Sequence, residues 1–273
     1  MRKRVPFAFV NKPNGRSLRM INDKLERILE ATSIEEVWGA HTATMESYGF
    51  DRLLYGFTRY RTARSFGDLQ DILTLSNHPK EYLERYLGGT LYLHGPMVRW
   101  LSQNVGACSW RWIDEQRAAG KLSEREIEVH EFNKSMGLVG GYSISFKDVS
   151  DRAKGAIALT ARPGLSQDDV EEIWKRDGSD IVTINKVMHL KVTQLPYAGL
   201  RRPLTKRQIE VLEWVADGKT TADAATIMGL TNATIEKHLR LARDVLDVDT
   251  TAQAVMKAAV LNQIFVHHTA KPS

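Results

Sequence analysis

The chain has 273 residues, of which 42% are hydrophobic, 26% charged and 8% aromatic, a length that suits about two domains with cores of their own. This composition excludes a disordered or low-complexity chain, and no apolar run approaches the ~18 residues of a membrane-spanning helix. The formal net charge of +5 splits into +3 before Leu200 and +2 from there on, so bulk charge permits nucleic-acid binding without marking where it would occur.

At the start, the apolar stretch Val5–Val10 is interrupted by Pro6 and is too short for a secretory signal. A single cysteine, Cys108, excludes an internal disulfide and a thiolate metal cluster. The expectation is a cytoplasmic protein without membrane attachment. Helices are predicted over Ser33–Tyr48 and Leu122–Met136, each opened by a capping-box pattern, Ser33-Ile34-Glu35-Glu36 and Ser123-Glu124-Arg125-Glu126. The same device at Ser166-Gln167-Asp168-Asp169 opens a long helix to about Val192. Strand patterns cover Leu53–Tyr60, Ile72–Leu75, Tyr142–Phe146 and Ala156–Ala161. Because strands neighbour one another as well as helices, the fold class is α+β, an antiparallel sheet between helical layers.

Two prolines and a glycine in Gln194–Pro203 forbid a continuous helix there. This divides the chain into residues 1–193, a linker 194–203 and a smaller all-α domain 204–266. In the latter, Thr205-Lys206-Arg207-Gln208 is a capping box with Leu204 as its hydrophobic staple. Ile209, Leu212, Val215 and Ala216 recur at helical spacing until Gly218. A short helix follows, Thr221–Met228, with Ala224, Ala225 and Ile227 expected inside and Gly229 at its end. Thr231 caps a third helix with the apolar stripe Ile235, Leu239, Ala242 and Leu246. A fourth begins near Thr250 and carries Ala254, Val255, Ala258 and Leu261. Four helices with a tight glycine turn between the second and third make a helix-turn-helix layout.

Opposite the third helix's stripe lie Lys237, Arg240 and Arg243, with Asn232 and Thr234 in its first turn. Such a helix fits the DNA major groove, where Arg and Lys meet guanine edges while Thr and Asn take phosphate or adenine. Lys219 and Thr220, ahead of the second helix, are placed to grip the backbone. Three basic residues also suit an ordinary solvated face.

The run Leu204–Arg207, Val211–Thr220, Thr234–His238, Leu246–Val248 and Ala252–Val255 resembles the LuxR-type helix-turn-helix over about 60 residues in register, which implies DNA binding. The chain departs from the family's usual Glu at Gln208 and usual Lys at Val245. Gln208 keeps the cap's hydrogen-bond acceptor and loses only a charge near a helix N-terminus, worth ~0.5 kcal/mol.

The preceding region, about residues 20–190, is similar to the family's autoinducer-binding domain. Ser76–Tyr86 follows its Asn-Tyr-Pro-x-x-Trp-x-x-x-Tyr run; Gly95-Pro96 stands where the family has Asp-Pro, Trp110 is retained, and Gly137–Gly141 matches a Gly-rich turn into a strand. The resemblance implies a ligand cavity beside the sheet, lined by His78, Tyr82, Tyr86, Gly95, Pro96, Trp110 and Gly141. Three polar contacts differ. The family's Tyr and Trp, which donate to the ligand's carbonyls, are His78 and Tyr82 here, and its Asp, which accepts the ligand's amide N–H, is Gly95. Losing such an acceptor removes ~1.5–3 kcal/mol, and weakens acyl-homoserine-lactone binding by roughly one to two powers of ten. His94 is the nearest substitute acceptor, and Gly95→Asp is expected to restore affinity if only the acceptor is missing.

No G-x-S-x-G, P-loop or zinc spacing among His41, His78, His94 and His130 supports catalysis or a metal, and His267-His268 sits in the tail. The expectation is a non-enzymatic transcription regulator with no cofactor beyond a possible acyl-homoserine lactone or related ligand. It would act as a homodimer on a double-stranded DNA operator, with dimer contacts in the first domain and in the last helix around Val255–Leu261, and with RNA polymerase as a further partner if it activates. The alternatives are a ligand-independent or differently liganded regulator whose first domain mainly dimerises, and a phosphorylation-controlled response regulator with a parallel receiver sheet.

Overall fold

The computed structural model describes residues 15–61, 66–67, 69–148, 150–197 and 202–265. The expectations for Val5–Val10, for Ala198–Arg201 of the linker and for His267-His268 lie outside these residues. Two helices come first, α1 (Gly15–Glu30) and α2 (Ile34–Glu46), then strands β1 (Phe50–Thr58) and β2 (Leu73–Ser76). A helical excursion follows: α3 (Lys80–Leu83), which runs on as a π turn to Gly88, then α4 (Pro96–Gln103), strand β3 (Gly106–Ser109), α5 (Arg111–Ala118) and α6 (Glu124–Ser135). Strands β4 (Gly141–Ser145) and β5 (Lys154–Ala161) and the long helix α7 (Gln167–Gln194) complete this region.

The sheet has the order β2-β1-β5-β4-β3, and every pair is antiparallel. The α+β expectation holds, and the parallel receiver sheet of a response regulator does not occur in it. Alternation divides the sheet. Leu53, Tyr55 and Phe57 of β1, Tyr142 and Ile144 of β4, and Ile157 and Leu159 of β5 pack with Val37 and Met45 of α2 and Ile181, Ile184 and Met188 of α7 into one core. The opposite face looks toward α3–α6, where Tyr82, Tyr86, Val129 and Leu138 form a smaller cluster.

Capping explains most helix starts. Both hydrogen bonds of the box form at Ser123/Glu126 and Ser166/Asp169. At α2 only half of the expected box is made: Ser33 accepts from the Glu36 N–H, but the Glu36 carboxylate turns to the Thr32 N–H at 2.7 Å.

The last four helices are α8 (Lys206–Ala216), α9 (Thr221–Met228), α10 (Asn232–Leu246) and α11 (Thr251–Val260). Thr205 caps α8, with the Gln208 side chain accepting from the Thr205 N–H at 2.7 Å. Gly229 ends α9 at φ +64°, a left-handed conformation natural to glycine. Ala224 and Ala225 meet Ile235, Leu239, Ala242 and Leu246 in a common core. Ile227 is a correction: it is 48% exposed, because it lies about 200° round the helix from Ala225 and the two alanines already fill the short inward face. This helical unit contacts the sheet region through Lys257, whose ammonium pairs with Asp71 at 3.0 Å with both side chains nearly buried. Tyr197 Oη donates to the Ile72 carbonyl at 2.6 Å nearby.

His41 of α2 is fully buried beside Trp38 and Asn185, and neither ring nitrogen has a hydrogen-bond partner among the described residues. Burial lowers its pKa to about 3, the neighbouring Asn185 offsetting only part. Between its ordinary value and that depressed one, the unfolded chain binds a proton that the folded chain refuses. Stability is therefore full above the ordinary imidazole pKa and falls as the pH drops through this window. At pH 5 the loss from His41 is expected to be roughly 2 kcal/mol relative to neutral pH. Urea denaturation across pH should show a shallower acid decline in His41→Leu than in the wild type, and parallel curves would contradict the assignment.

Candidate functional site

A cavity of about 190 Å³ lies between the second face of the sheet and α3–α6. Its floor is made by alternate strand positions: Leu54, Gly56 and Thr58 of β1, Ser143 of β4, and Lys154, Ala156, Ala158 and Thr160 of β5. These positions are in register, Leu54 with Ala158, Gly56 with Ala156, Thr58 with Lys154 and Ser143 with Ala158. Small side chains here leave depth where bulkier ones would fill it.

The aromatic wall arises from spacing. His78, Tyr82 and Tyr86 follow one another at intervals of four: Tyr82 of α3 and Tyr86 of the π turn share one helical face, and His78, two residues before α3, adds its ring to theirs. The His78 and Tyr82 rings stack at 4.6 Å, those of Tyr82 and Tyr86 at 5.1 Å, and Phe132 of α6 extends the stack from Tyr82 at 5.8 Å. Burial, and after it the charge of Arg52, lowers the pKa of His78 to about 4, so the imidazole is neutral near pH 7 and offers one donor and one acceptor. Its Nδ1 has no partner among the described residues. Burial raises the pKa of the Tyr82 and Tyr86 hydroxyls, which stay protonated. Tyr82 Oη donates to Asn133 Oδ1 at 3.1 Å and Trp110 Nε1 to Ser143 Oγ at 2.9 Å, so both donors are engaged within the protein.

Of the eight residues expected at the ligand, His78, Tyr82, Tyr86, Gly95, Pro96 and Trp110 line the cavity. His94 does not: it is exposed, on the short turn before α4, and cannot serve as the substitute acceptor. Gly141 stands behind the wall, where a Cβ would collide first with the Leu159 carbonyl of β5 and then with the Trp110 ring at 2.9 Å, so its part is to let the β5 backbone and the indole both lie close against β4. At Gly95 a Cβ would meet Tyr86 Oη at 3.0 Å and the Tyr92 carbonyl at 3.2 Å. With Val98 Cγ2 also at 3.2 Å, any side chain at this position requires its neighbours, the Tyr86 hydroxyl first, to give way by a few tenths of an ångström.

Other polar lining groups were not foreseen. His130 Nε2 and Thr160 Oγ1 are buried without partners among the described residues. Asp114 Oδ1 lies 3.7 Å from His130 Nε2 and 3.8 Å from Lys134 Nζ. Alternation along Lys154–Ala161, with small or polar residues on one face and Ile157 and Leu159 on the other, is the sequence signal that points to Thr160 and Lys154.

The second site is the outer face of α10. Lys219, Thr220, Thr231, Asn232, Lys237 and Arg240 are exposed, and Thr234 and Arg243 are partly covered. Several have structural duties. Thr220 caps α9 in a box with Asp223, Thr231 caps α10 by accepting from the Thr234 N–H, and Arg243 Nη1 donates to Thr251 Oγ1 of α11 at 3.0 Å. Arg240 faces Asp244 at 3.4 Å, both side chains 60% exposed, a pair of little energetic weight.

Residues 33–192 match the family described as autoinducer binding domain, and residues 202–258 match the family of bacterial regulatory proteins, luxR family. The chain belongs to the LuxR family of transcription regulators. It is 25% identical over 244 residues to transcriptional activator protein AnoR of Acinetobacter nosocomialis, covering 88% of this chain and 96% of AnoR. Identity to the HTH-type quorum sensing-dependent transcriptional regulator RpaR of Rhodopseudomonas palustris is 28% over 218 residues, covering 77% and 83%. Among solved structures, Escherichia coli SdiA shares the fold with a TM-score of 0.50 at 16% identity, over 92% of this chain and the whole of that one. The LuxR-type helix-turn-helix implies DNA binding, the autoinducer-binding domain implies a small-molecule ligand, and the family is not enzymatic. No helix among the described residues is long and apolar enough to cross a membrane.

Proposed function

We propose that this LuxR-family regulator is a homodimer whose operator binding is controlled by an acyl-homoserine lactone or a related amphiphile held in the cavity of residues 1–193. Residues 194–203 link that sensor to the DNA-binding unit 204–266. The observation that carries the reading is the combination of an aromatic and aliphatic wall with buried polar atoms that make no hydrogen bond among the described residues, at His78, His130 and Thr160. A ligand supplying complementary groups removes a cost of about 1–3 kcal/mol for each such atom. On the DNA side, Lys219, Asn232, Lys237 and Arg240 are assigned to phosphate and base contacts, and Thr220, Thr231, Thr234 and Arg243 to shaping the helix ends and α10 beside them. A second reading, regulation without a lactone, is favoured by the engaged donors of Tyr82 and Trp110 and by the absence of an acceptor at Gly95.

Thermal unfolding of the full chain with lactones of graded chain length separates these readings. Native-state binding at a hundred times Kd adds about 2.7 kcal/mol, and a shift that depends on chain length is expected. A flat response from protein that still binds DNA would favour the second reading. Gly95→Asp alone is expected to give no gain in lactone affinity, whereas Gly95→Asp with Tyr86→Phe, which removes the nearest of the contacts at Gly95, should raise it in the same titration. On DNA, Lys237→Ala should weaken duplex binding and reduce the salt slope by about 1 without altering stability. Arg243→Ala should instead lower the unfolding free energy by roughly 1 kcal/mol through loss of its bond to Thr251; equal effects of the two variants on stability would contradict the division of roles.

A further inference from the structure

Lys154 opens β5 opposite Thr58 of β1 and closes one end of the cavity floor. The residue is 9% exposed, and its Nζ donates to the Asn104 carbonyl at 2.9 Å, just beyond the end of α4. An ammonium carries three donors, and among the described residues no carboxylate forms an ion pair with this one. Asp148, whose charge reaches it, spends its own oxygens elsewhere: Oδ1 faces His189 Nε2 at 3.2 Å and Oδ2 accepts from the Gly155 N–H at 3.0 Å. Arg61 adds a second positive charge and is itself tied to the Ser102 carbonyl at 2.8 Å. Desolvation together with Arg61 lowers the pKa of Lys154. A buried cation with a single neutral acceptor is an expensive arrangement unless an anion completes it.

Its position says where that anion would be. The His78–Tyr82–Tyr86 stack begins just after Ser76, which pairs with Leu54, and Leu54 pairs with Ala158. Lys154 is four strand residues further along, ~13 Å away, with Ala156 between them on the same apolar floor. A molecule whose polar head meets the aromatic stack lays its chain over Ala158 and Ala156 and ends at the ammonium.

We infer that the cavity accepts an amphiphile whose chain terminates in a carboxylate, with Lys154 as its counter-ion. This rests on the reading of the cavity as the ligand site and names the class of ligand it takes. A lysine that merely caps the end of α4 would contribute to stability and leave ligand preference untouched.

The full chain is titrated calorimetrically with three probes: N-decanoyl-homoserine lactone, the same lactone with its terminal methyl replaced by carboxylate, and decanedioate, which lacks the lactone. Wild-type protein is expected to bind the carboxylate-terminated lactone at least ~10-fold more tightly than the decanoyl compound. Lys154→Met should abolish or reverse that ratio, and Lys154→Arg should retain it. The wild-type ratio stands by itself should Lys154→Met fail to fold. Equal or tighter binding of the decanoyl lactone overturns the inference and leaves the lactone reading intact. Equal binding of decanedioate and the carboxylate-terminated lactone upholds the inference while the lactone reading falls. No binding by any probe overturns both.

Discussion

Everything in the sensor region depends on one antiparallel sheet having two unlike faces. On β5, Ile157 and Leu159 enter a dense core with α2 and α7, while Lys154, Ala156, Ala158 and Thr160 face the cavity. The period of two makes these demands inseparable: a slip of one residue would drive isoleucine and leucine into the cavity and alanines into the core. The pairing of β1 with β5 pins the register over seven consecutive positions, from Arg52 with Thr160 to Thr58 with Lys154, after a shift between Phe50 and Arg52. The concave site is thus produced by the same hydrogen-bond ladder that builds the core.

The elements that sequence patterns revealed are those with local causes. Capping residues at Thr205, Thr231 and Ser166, glycine at 229 and the stripe Ile235–Leu246 are each explained by a few neighbouring atoms, and they appear where expected. β3 escaped notice because Gly106–Ser109 is short and only half-buried, and its strand character comes from pairing with β4. The ligand wall was legible through the spacing of four among His78, Tyr82 and Tyr86. Its polar detail was not. His94 neighbours Gly95 in sequence but points to solvent, while His130 and Thr160 reach the cavity from a helix and a strand far along the chain. Likewise, the collision of a Gly95 side chain with Tyr86 Oη depends on the π turn after α3, which no residue pattern announced.

The cavity also touches the route to the DNA-binding unit. Leu69 and Ile72 line it, and between them Asp71 holds Lys257 of α11 in a nearly buried ion pair. The Ile72 carbonyl accepts from Tyr197 in the segment after α7. Deeper in the core, His189 of α7 lies 2.8 Å from Tyr55 Oη through Nδ1 and is flanked by Asp148 through Nε2, which ties the end of α7 to β1 and to the β4–β5 connection. Residues that line the cavity and those that hold the helix-turn-helix are therefore neighbours in sequence and bonded partners in space.

Contiguity alone does not amount to control. A ligand shifts an equilibrium only by the difference between its affinities for the two arrangements. A difference can arise here because Leu69, Asp71 and Ile72 belong to one short turn. A molecule packed against Leu69 and Ile72 would fix the backbone that carries Asp71, and with it the geometry of its ion pair with Lys257, whose side chains are 12% and 13% exposed. On the proposed reading, occupation of the cavity would act on α11 through the position of one carboxylate, without any contact between ligand and DNA-binding helix.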